Sequence, residues 1–447
     1  MSWVPLHVHS QYSILDSTAQ VSTLASKAAE YGMTSLALTD QGNMYGVVEF
    51  YKACLAQKVK PILGCELYVA PFSRHEKKKV FGVSAGYPVV LLVKNSVGYK
   101  NLCKLSSLAH LEGFYYTARI DKALMEEFSE GLICLSGSLQ GKIASLIVQE
   151  KSDELLQEIE WFHRVFKEDF YFEVQRHRMT EEQIQADRMT LEPWLYQKYK
   201  EHVDQQEKVI AKFKELSPEY GIPIVATNDS HYILRDEWRA HEILMNVQSG
   251  EPCEIWEKDS AGNLKAKVLN PKREVMPSHE FYFKTPQEME ALFSDLPDAI
   301  ACSSRIADQC SFDLDFKTKY YPVYVPPSLE NKEYTVQERE AEVENFLRTL
   351  CAEQIPLRYR TEQLDPVRAV YPDQDPMEVI AKRLDYELNL ITSKGMSDYL
   401  LIVYDFIAWA KRNGIPMGPG RGSGAGSIIL YLIGITDIEP LRFNLFF

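Results

Sequence analysis

Several common signatures are missing from this sequence, and each absence excludes something. No window approaches the roughly 18 uninterrupted apolar residues of a membrane-spanning helix; the longest apolar run of that kind, 428–435, is far too short. The start, Met1-Ser2-Trp3-Val4-Pro5, has neither the basic stretch nor the apolar run of a signal peptide. The eight cysteines are scattered and form no C-x-x-C pair, which argues against a disulfide framework or zinc ribbon and for reduced thiols. Positive charge is in deficit: 49 Lys and Arg stand against 63 Asp and Glu, a net charge of −14. That balance argues against nucleic-acid binding over the whole surface, although basic clusters stand at 74–79 and 265–273. There is no internal repeat and no low-complexity tract. The expectation is a cytoplasmic protein with no membrane segment.

What is present is ordinary globular composition: 447 residues, 45% hydrophobic and 25% charged. At about 150 residues per domain this suggests two or three domains. Over the first ~230 residues β-like runs (4–9, 35–39, 61–69, 89–94, 131–136, 171–175 and 223–228) alternate with amphipathic helices at 21–31, 44–57, 96–110 and 206–216. Such alternation implies βαβ units, a parallel sheet and closure into a barrel. Segments 181–200 and 252–277 read as insertions. From residue 285 the pattern is helical: 286–293, 297–309, 336–359 and 376–413, interrupted by the Pro-rich run 320–327. The firmest domain boundary falls near 284. Five of the last seven residues, 441–447, are large and apolar. Ends are usually polar and frayed, so the tail reads as the cut end of a longer protein rather than a docked strand.

The chemistry-bearing residues of the first half collect at run ends. His7 and His9 close the first run two apart, where strand residues share a face, and Asp16 follows. Asp40 and Gln41 follow the second run, Glu66 lies near the end of the third, and Asp229 and His231 follow the seventh. A parallel barrel gathers these ends on one rim, and imidazoles with carboxylates there suit divalent metal. A polar, hydrogen-bonded rim without metal is the bland alternative.

In the second half, 418–427 (G-P-G-R-G-S-G-A-G-S) precedes a helix-like run. Glycines allow close approach of the backbone to an oxyanion, free N–H groups at a helix start favour phosphate, and Arg421 and Ser423 add donors. No Walker A Gly-Lys-Ser/Thr follows. The fit of 420–425 to a dinucleotide fingerprint lacks a strand before it and an acid downstream.

These motifs also carry a resemblance. L-H-V-H-S-Q-Y-S-I-L-D (6–16), A-L-T-D-Q-G-N-M-Y-G (37–46), P-I-L-G-C-E-L-Y-V (61–69) and V-A-T-N-D-S-H-Y (225–232) resemble the polymerase and histidinol phosphatase (PHP) domain of the DNA polymerase III alpha family, the bacterial replicative polymerases. S-D-Y-L-L-I-V-Y-D-F (397–406), 418–427 and G-I-T-D-I-E-P-L-R-F-N-L (434–445) resemble the start of that family's palm. The resemblance implies an α/β chain: a seven-stranded (β/α) PHP barrel over 1–283, a helical and extended connector over 284–365, and the first part of an α+β nucleotidyltransferase-type palm over 366–447.

It also implies roles. In the family nine ligands hold three metals on the barrel rim, where phosphoesters can be hydrolysed; His7, His9, Asp16, Glu66, Asp229 and His231 occupy ligand positions. Gln41, Pro88 and Ser138 stand where the family often has His, His and Cys. Those three are poor or impossible ligands, so at most one Zn²⁺ or Mn²⁺ is expected, on a nuclease-poor platform. Gly420, Arg421, Gly422 and Ser423 match the loop that holds the incoming nucleotide's triphosphate. The family's catalytic D-x-D lies beyond Phe447, and Asp398, Asp405 and Asp437 form no such pair, so the 447 residues alone are not expected to polymerise. The full protein would use Mg²⁺, primer-template DNA and dNTPs, and would meet a sliding clamp, a clamp loader and a proofreading exonuclease subunit. The alternatives are a free-standing metal-dependent phosphoesterase and a non-catalytic scaffold for a proofreading subunit.

Overall fold

The computed structural model describes residues 3–78, 85–258, 264–318 and 322–447. Lys79 of the first basic cluster, 259–263 of the second insertion, and Tyr320 and Tyr321 of the Pro-rich run lie outside the described residues, as do Met1 and Ser2. The chain forms two compact units, Met1–Leu314 and Asp315–Phe447.

The first unit is built on a seven-stranded sheet: β1 (Ser35–Leu38), β2 (Lys60–Val69), β3 (Tyr87–Val93), β4 (Arg119–Ile120), β5 (Leu132–Leu135), β6 (Phe170–Gln175) and β7 (Ile224–Thr227). The order is β1-β2-β3-β5-β6-β7, with the short β4 beside β2. The first run forms no regular strand, but it joins the two edges of the sheet. Ala37 N donates to Pro5 O and Thr39 N to Val8 O on one side; His9 N donates to Ser230 O on the other.

One expectation needs correcting: the sheet is mixed. β3 pairs antiparallel with both β2 and β5. A parallel neighbour needs a crossover, usually a helix, and among the described residues between β2 and β3 there is no helix.

Period-2 alternation places the interior. On β6 Phe170, Phe172 and Val174 join the outer core, where Phe172 stacks on Phe213 at 4.4 Å between centroids, while Tyr171 belongs to the inner cluster. Val4, Leu6, Ala37, Ile62, Val90, Leu92, Ile133, Leu135 and Val225 share that inner cluster with Cys302, Ile306 and Ala307 of the helix Pro297–Gln309 and with Cys310 just after it. This helix closes the end where strands begin: Ser303 Oγ accepts from Val4 N, and Lys60 Nζ donates to Ala307 O. Residues 284–314, read from sequence as the start of a connector, therefore pack within the barrel unit. The opposite end, where most strands finish, is left for polar residues.

The two insertions have regular structure. Segment 181–200 holds a short helix, Glu181–Ala186, and the start of the long helix Pro193–Tyr220. Segment 252–277 carries the hairpin of β8 (Glu254–Lys258) and β9 (Leu264–Leu269).

The second unit packs the helices Val336–Arg358, Thr361–Val370, Pro376–Ser393, Ser397–Arg412 and Ile428–Leu432 around one core that includes Leu347, Ile380, Leu401, Ile407 and Ile429. Gly395, at φ 64°, breaks the expected helix 376–413 into two. Among the described residues of this unit there is no strand, so the α+β expectation is represented here by helices alone. Residues 441–447 form no docked strand, and Phe446 is 91% exposed.

Candidate metal centre and phosphate loop

Two imidazoles and two carboxylates meet on the barrel rim. One ligand atom from each of His7, His9, Glu66 and Asp229 lies within 4.8 Å of the others, a grouping that can hold a metal ion. Asp229 is its hub: its Oδ1 lies 3.2 Å from His7 Nε2, 3.0 Å from His9 Nε2 and 3.2 Å from His231 Nε2. Glu66 Oε2 lies 3.1 Å from His7 Nε2. Asp229 takes φ 51°, a left-handed conformation uncommon outside glycine but tolerated by Asp. His231 turns its other nitrogen away, with Nδ1 2.9 Å from Asp16 O and 3.4 Å from Asp16 Oδ2. Asp16 thus reaches the centre through His231. Asp40 accepts from Ser10 N and from the hydroxyls of Ser10 and Ser13, and Ser13 Oγ lies 3.1 Å from His9 Nδ1.

Burial and charge act in opposition at these groups. Burial lowers the pKa of His7, but Asp229 and Glu173 outweigh it and hold the imidazole well above its ordinary value. Burial likewise lowers His231, and Asp16 and Asp229 bring it up to about 9. Burial raises the Asp229 carboxyl, yet the histidines keep it well below the usual carboxylate range. Acidic oxygens and imidazole nitrogens so arranged match the donor preferences of Zn²⁺ and Mn²⁺.

A cavity of about 190 Å³ opens on the centre; His9, Asp16, Glu66, Asp229 and His231 line it. Gln41, Pro88 and Ser138 line the same cavity. None of the three offers a good ligand. Gln41 Nε2 donates to Tyr68 Oη at 2.7 Å, Pro88 has no donor atom, and Ser138 Oγ accepts only a long contact, 3.4 Å, from Gln140 N. The residues present fit one ion and do not fit a nine-ligand cluster.

Sequence reading missed Glu173. It is buried in the barrel, and its Oε1 lies 2.7 Å from His7 Nδ1. The available signal was parity: Glu173 is two residues beyond the inward Tyr171 on β6.

In the second unit the Gly-rich run forms a tight turn over Gly422–Gly426 ahead of Ile428–Leu432. Arg421, Gly422 and Ser423 are exposed, and Gly420 sits against Ile438. Here the expectation of free helix-start N–H groups is corrected. The buried carboxylate of Glu387 accepts from Ile428 N at 3.1 Å, Ile429 N at 3.3 Å and Ser427 Oγ at 2.7 Å. Any phosphate would therefore meet the turn at 420–423, not the helix end. Asp398 and Asp437 are engaged as well, with Arg339 and with Arg358 and Lys411 respectively.

Comparison with known proteins defines the class. Residues 5–177 match the PHP domain, and residues 345–447 match the bacterial DNA polymerase III alpha NTPase domain. Over its whole length the chain is similar to the N-terminal region of DNA polymerase III alpha subunits. It is 48% identical over its whole length to the DNA polymerase III subunit alpha of Chlamydia pneumoniae, covering 35% of that protein. Against the same subunit of Borreliella burgdorferi it is 38% identical, again over its whole length and 33% of the relative. The chain thus spans about a third of the length of the curated relatives it matches. Among solved structures, a two-domain protein containing a predicted PHP-like metal-dependent phosphoesterase from Bacteroides vulgatus aligns with TM-score 0.29 and 12% identity, over 71% of this chain and 72% of that one.

Proposed function

We propose that this chain serves template-directed DNA synthesis as the N-terminal part of a replicative polymerase. The observation that carries the reading is 48% identity across the whole chain to a polymerase III alpha subunit, through both domains. In that role Arg421, with the backbone of Gly420 and Gly422 and the hydroxyl of Ser423, binds the triphosphate of an incoming dNTP; their exposure on a tight turn supports this. Primer-template DNA and Mg²⁺ belong to the same reading, as do the clamp, clamp loader and proofreading subunit as partners. The test is primer extension by protein captured from its own cell with an antibody to residues 1–280. Incorporation is expected, with Arg421→Ala raising KM for dNTP at least tenfold. No incorporation, or an unchanged KM, would overturn it.

The barrel has a second reading of its own, favoured by the ligand grouping beside the 190 Å³ cavity. It holds one Zn²⁺ or Mn²⁺ through His7, His9, Glu66 and Asp229, with His231 and Asp16 supporting them. The ion would supply Lewis acidity. Two metals acting together on the attacking and leaving oxygens are the stronger arrangement for phosphoester cleavage, and Gln41, Pro88 and Ser138 remove it. The barrel is therefore nuclease-poor and serves as a platform. Metal-dependent release of nucleotides from a DNA 3′ end, lost in His9→Ala, would contradict that.

A further inference from the structure

Glu173 is a buried carboxylate between the apolar inner cluster and the polar rim of the barrel. Its strand neighbour on the same face, Tyr171, sits in the inner apolar cluster, and Glu173 is 2% exposed. Its Oε1 collects three contacts: His7 Nδ1 at 2.7 Å, Thr227 Oγ1 at 2.5 Å and Gln175 Nε2 at 3.3 Å. Its Oε2 has no hydrogen-bond partner. A buried charge with an unsatisfied oxygen is costly. Structural need alone does not explain it, because a neutral amide would fill the same space without the charge.

The direction of the contact suggests what the charge does. His7 uses Nδ1 for Glu173 and turns Nε2 to Glu66 and Asp229. Carboxylate on one nitrogen and metal on the other is how ligating histidines are oriented: the carboxylate holds the proton on its own side and makes the other nitrogen a better donor. Thr227, on β7 two residues before Asp229, donates to the same oxygen and so fixes Glu173 in turn.

We propose that Glu173 is a positioning residue for a metal-binding His7, holding the proton on Nδ1 and aiming the Nε2 lone pair at the ion. The inference rests on the reading of the rim as a single-metal site. No contact of Glu173 itself with metal is required.

The experiment is a Zn²⁺ titration of the 447-residue chain against a competing chromophoric chelator, for wild type and Glu173→Gln, with melting temperatures measured with and without Zn²⁺. Wild type is expected to bind one Zn²⁺, and Glu173→Gln to bind it 10–100-fold more weakly. Without metal the variant loses a buried partner of His7 and should melt somewhat lower while staying folded. A purely structural Glu173 would lower melting and leave the affinity unchanged. Wild type that binds no Zn²⁺ overturns the single-metal reading itself; wild type and variant binding equally overturns this proposal alone. Nitrogen NMR of the histidines in wild type tests the same point without a substitution. Zn²⁺ must shift the His7 Nε2 resonance while Nδ1 stays protonated, and Zn²⁺ at Nδ1 refutes the proposal.

Discussion

At the scale of single residues, the rim shows what a sequence can and cannot reveal. His7, His9, Glu66 and Asp229 were legible because each stands at the end of a recognisable run, and barrel geometry brings such ends together. Glu173 was harder to read: its partner His7 is 166 positions away, and its parity with Tyr171 points inward only once that tyrosine is known to face the barrel interior. Gln41, Pro88 and Ser138 line the cavity, and they yield a prediction. Joint replacement Gln41→His, Pro88→His and Ser138→Cys raises bound Zn²⁺ above one ion per chain by elemental analysis; unchanged content would mean these positions do not reach the ion. A different residue contributes to acid stability. Hydrogen bonds from Arg176 and Lys214 outweigh desolvation and hold the Asp295 carboxyl below its ordinary 3.8. Its folded pKa is depressed, so its contribution is complete above that value and is lost as pH falls through the folded pKa. Asp295→Asn should therefore flatten the fall of melting temperature below about pH 4, and an unaltered acid limb would count against the pairing.

At the scale of elements, six of the seven expected runs became strands, because alternating and β-branched patterns report burial. Their directions were not legible. Strand direction depends on what fills the connection, and the turn-back before β3 carries no pattern of its own. The helix Thr361–Val370 was missed because Pro366 lies inside it, where proline ordinarily breaks helices. In the second unit, Arg383 Nε donates to Glu387 Oε1 at 2.6 Å, while its Nη2 donates to Gly426 O and Leu445 O. Together the pair fixes the exit of the Gly-rich turn and the start of Ile428–Leu432. Glu387→Ala removes the acceptor shared by Arg383 Nε, Ser427 Oγ and the N–H groups of Ile428 and Ile429, and should cost about 1–3 kcal/mol in chemical denaturation, a loss under about 0.5 kcal/mol showing the contact is dispensable. In the barrel, Phe172→Ala removes a ring stacked on Phe213 and should cost about 3–5 kcal/mol.

At the scale of the whole molecule, the division into two units follows where apolar faces find partners. The helix Pro297–Gln309 reads from sequence as part of a connector, because its composition resembles the helices after it. Its Cys302, Ile306 and Ala307 nevertheless fill the barrel end, a long-range fit that no local pattern announces. The two domain matches and the 48% identity over the whole of this chain to a third of a polymerase III alpha subunit agree with the motifs at both ends of the chain. The rim brings His7, His9, Glu66 and Asp229 into a grouping that can hold one ion, with Gln41, Pro88 and Ser138 lining the cavity beside it. Native mass spectrometry of the chain, refolded or purified with Zn²⁺ and freed of loose metal, counts those ions directly. One ion per chain, absent in Asp229→Ala, is the expected result. Two or three ions, or none, would contradict it.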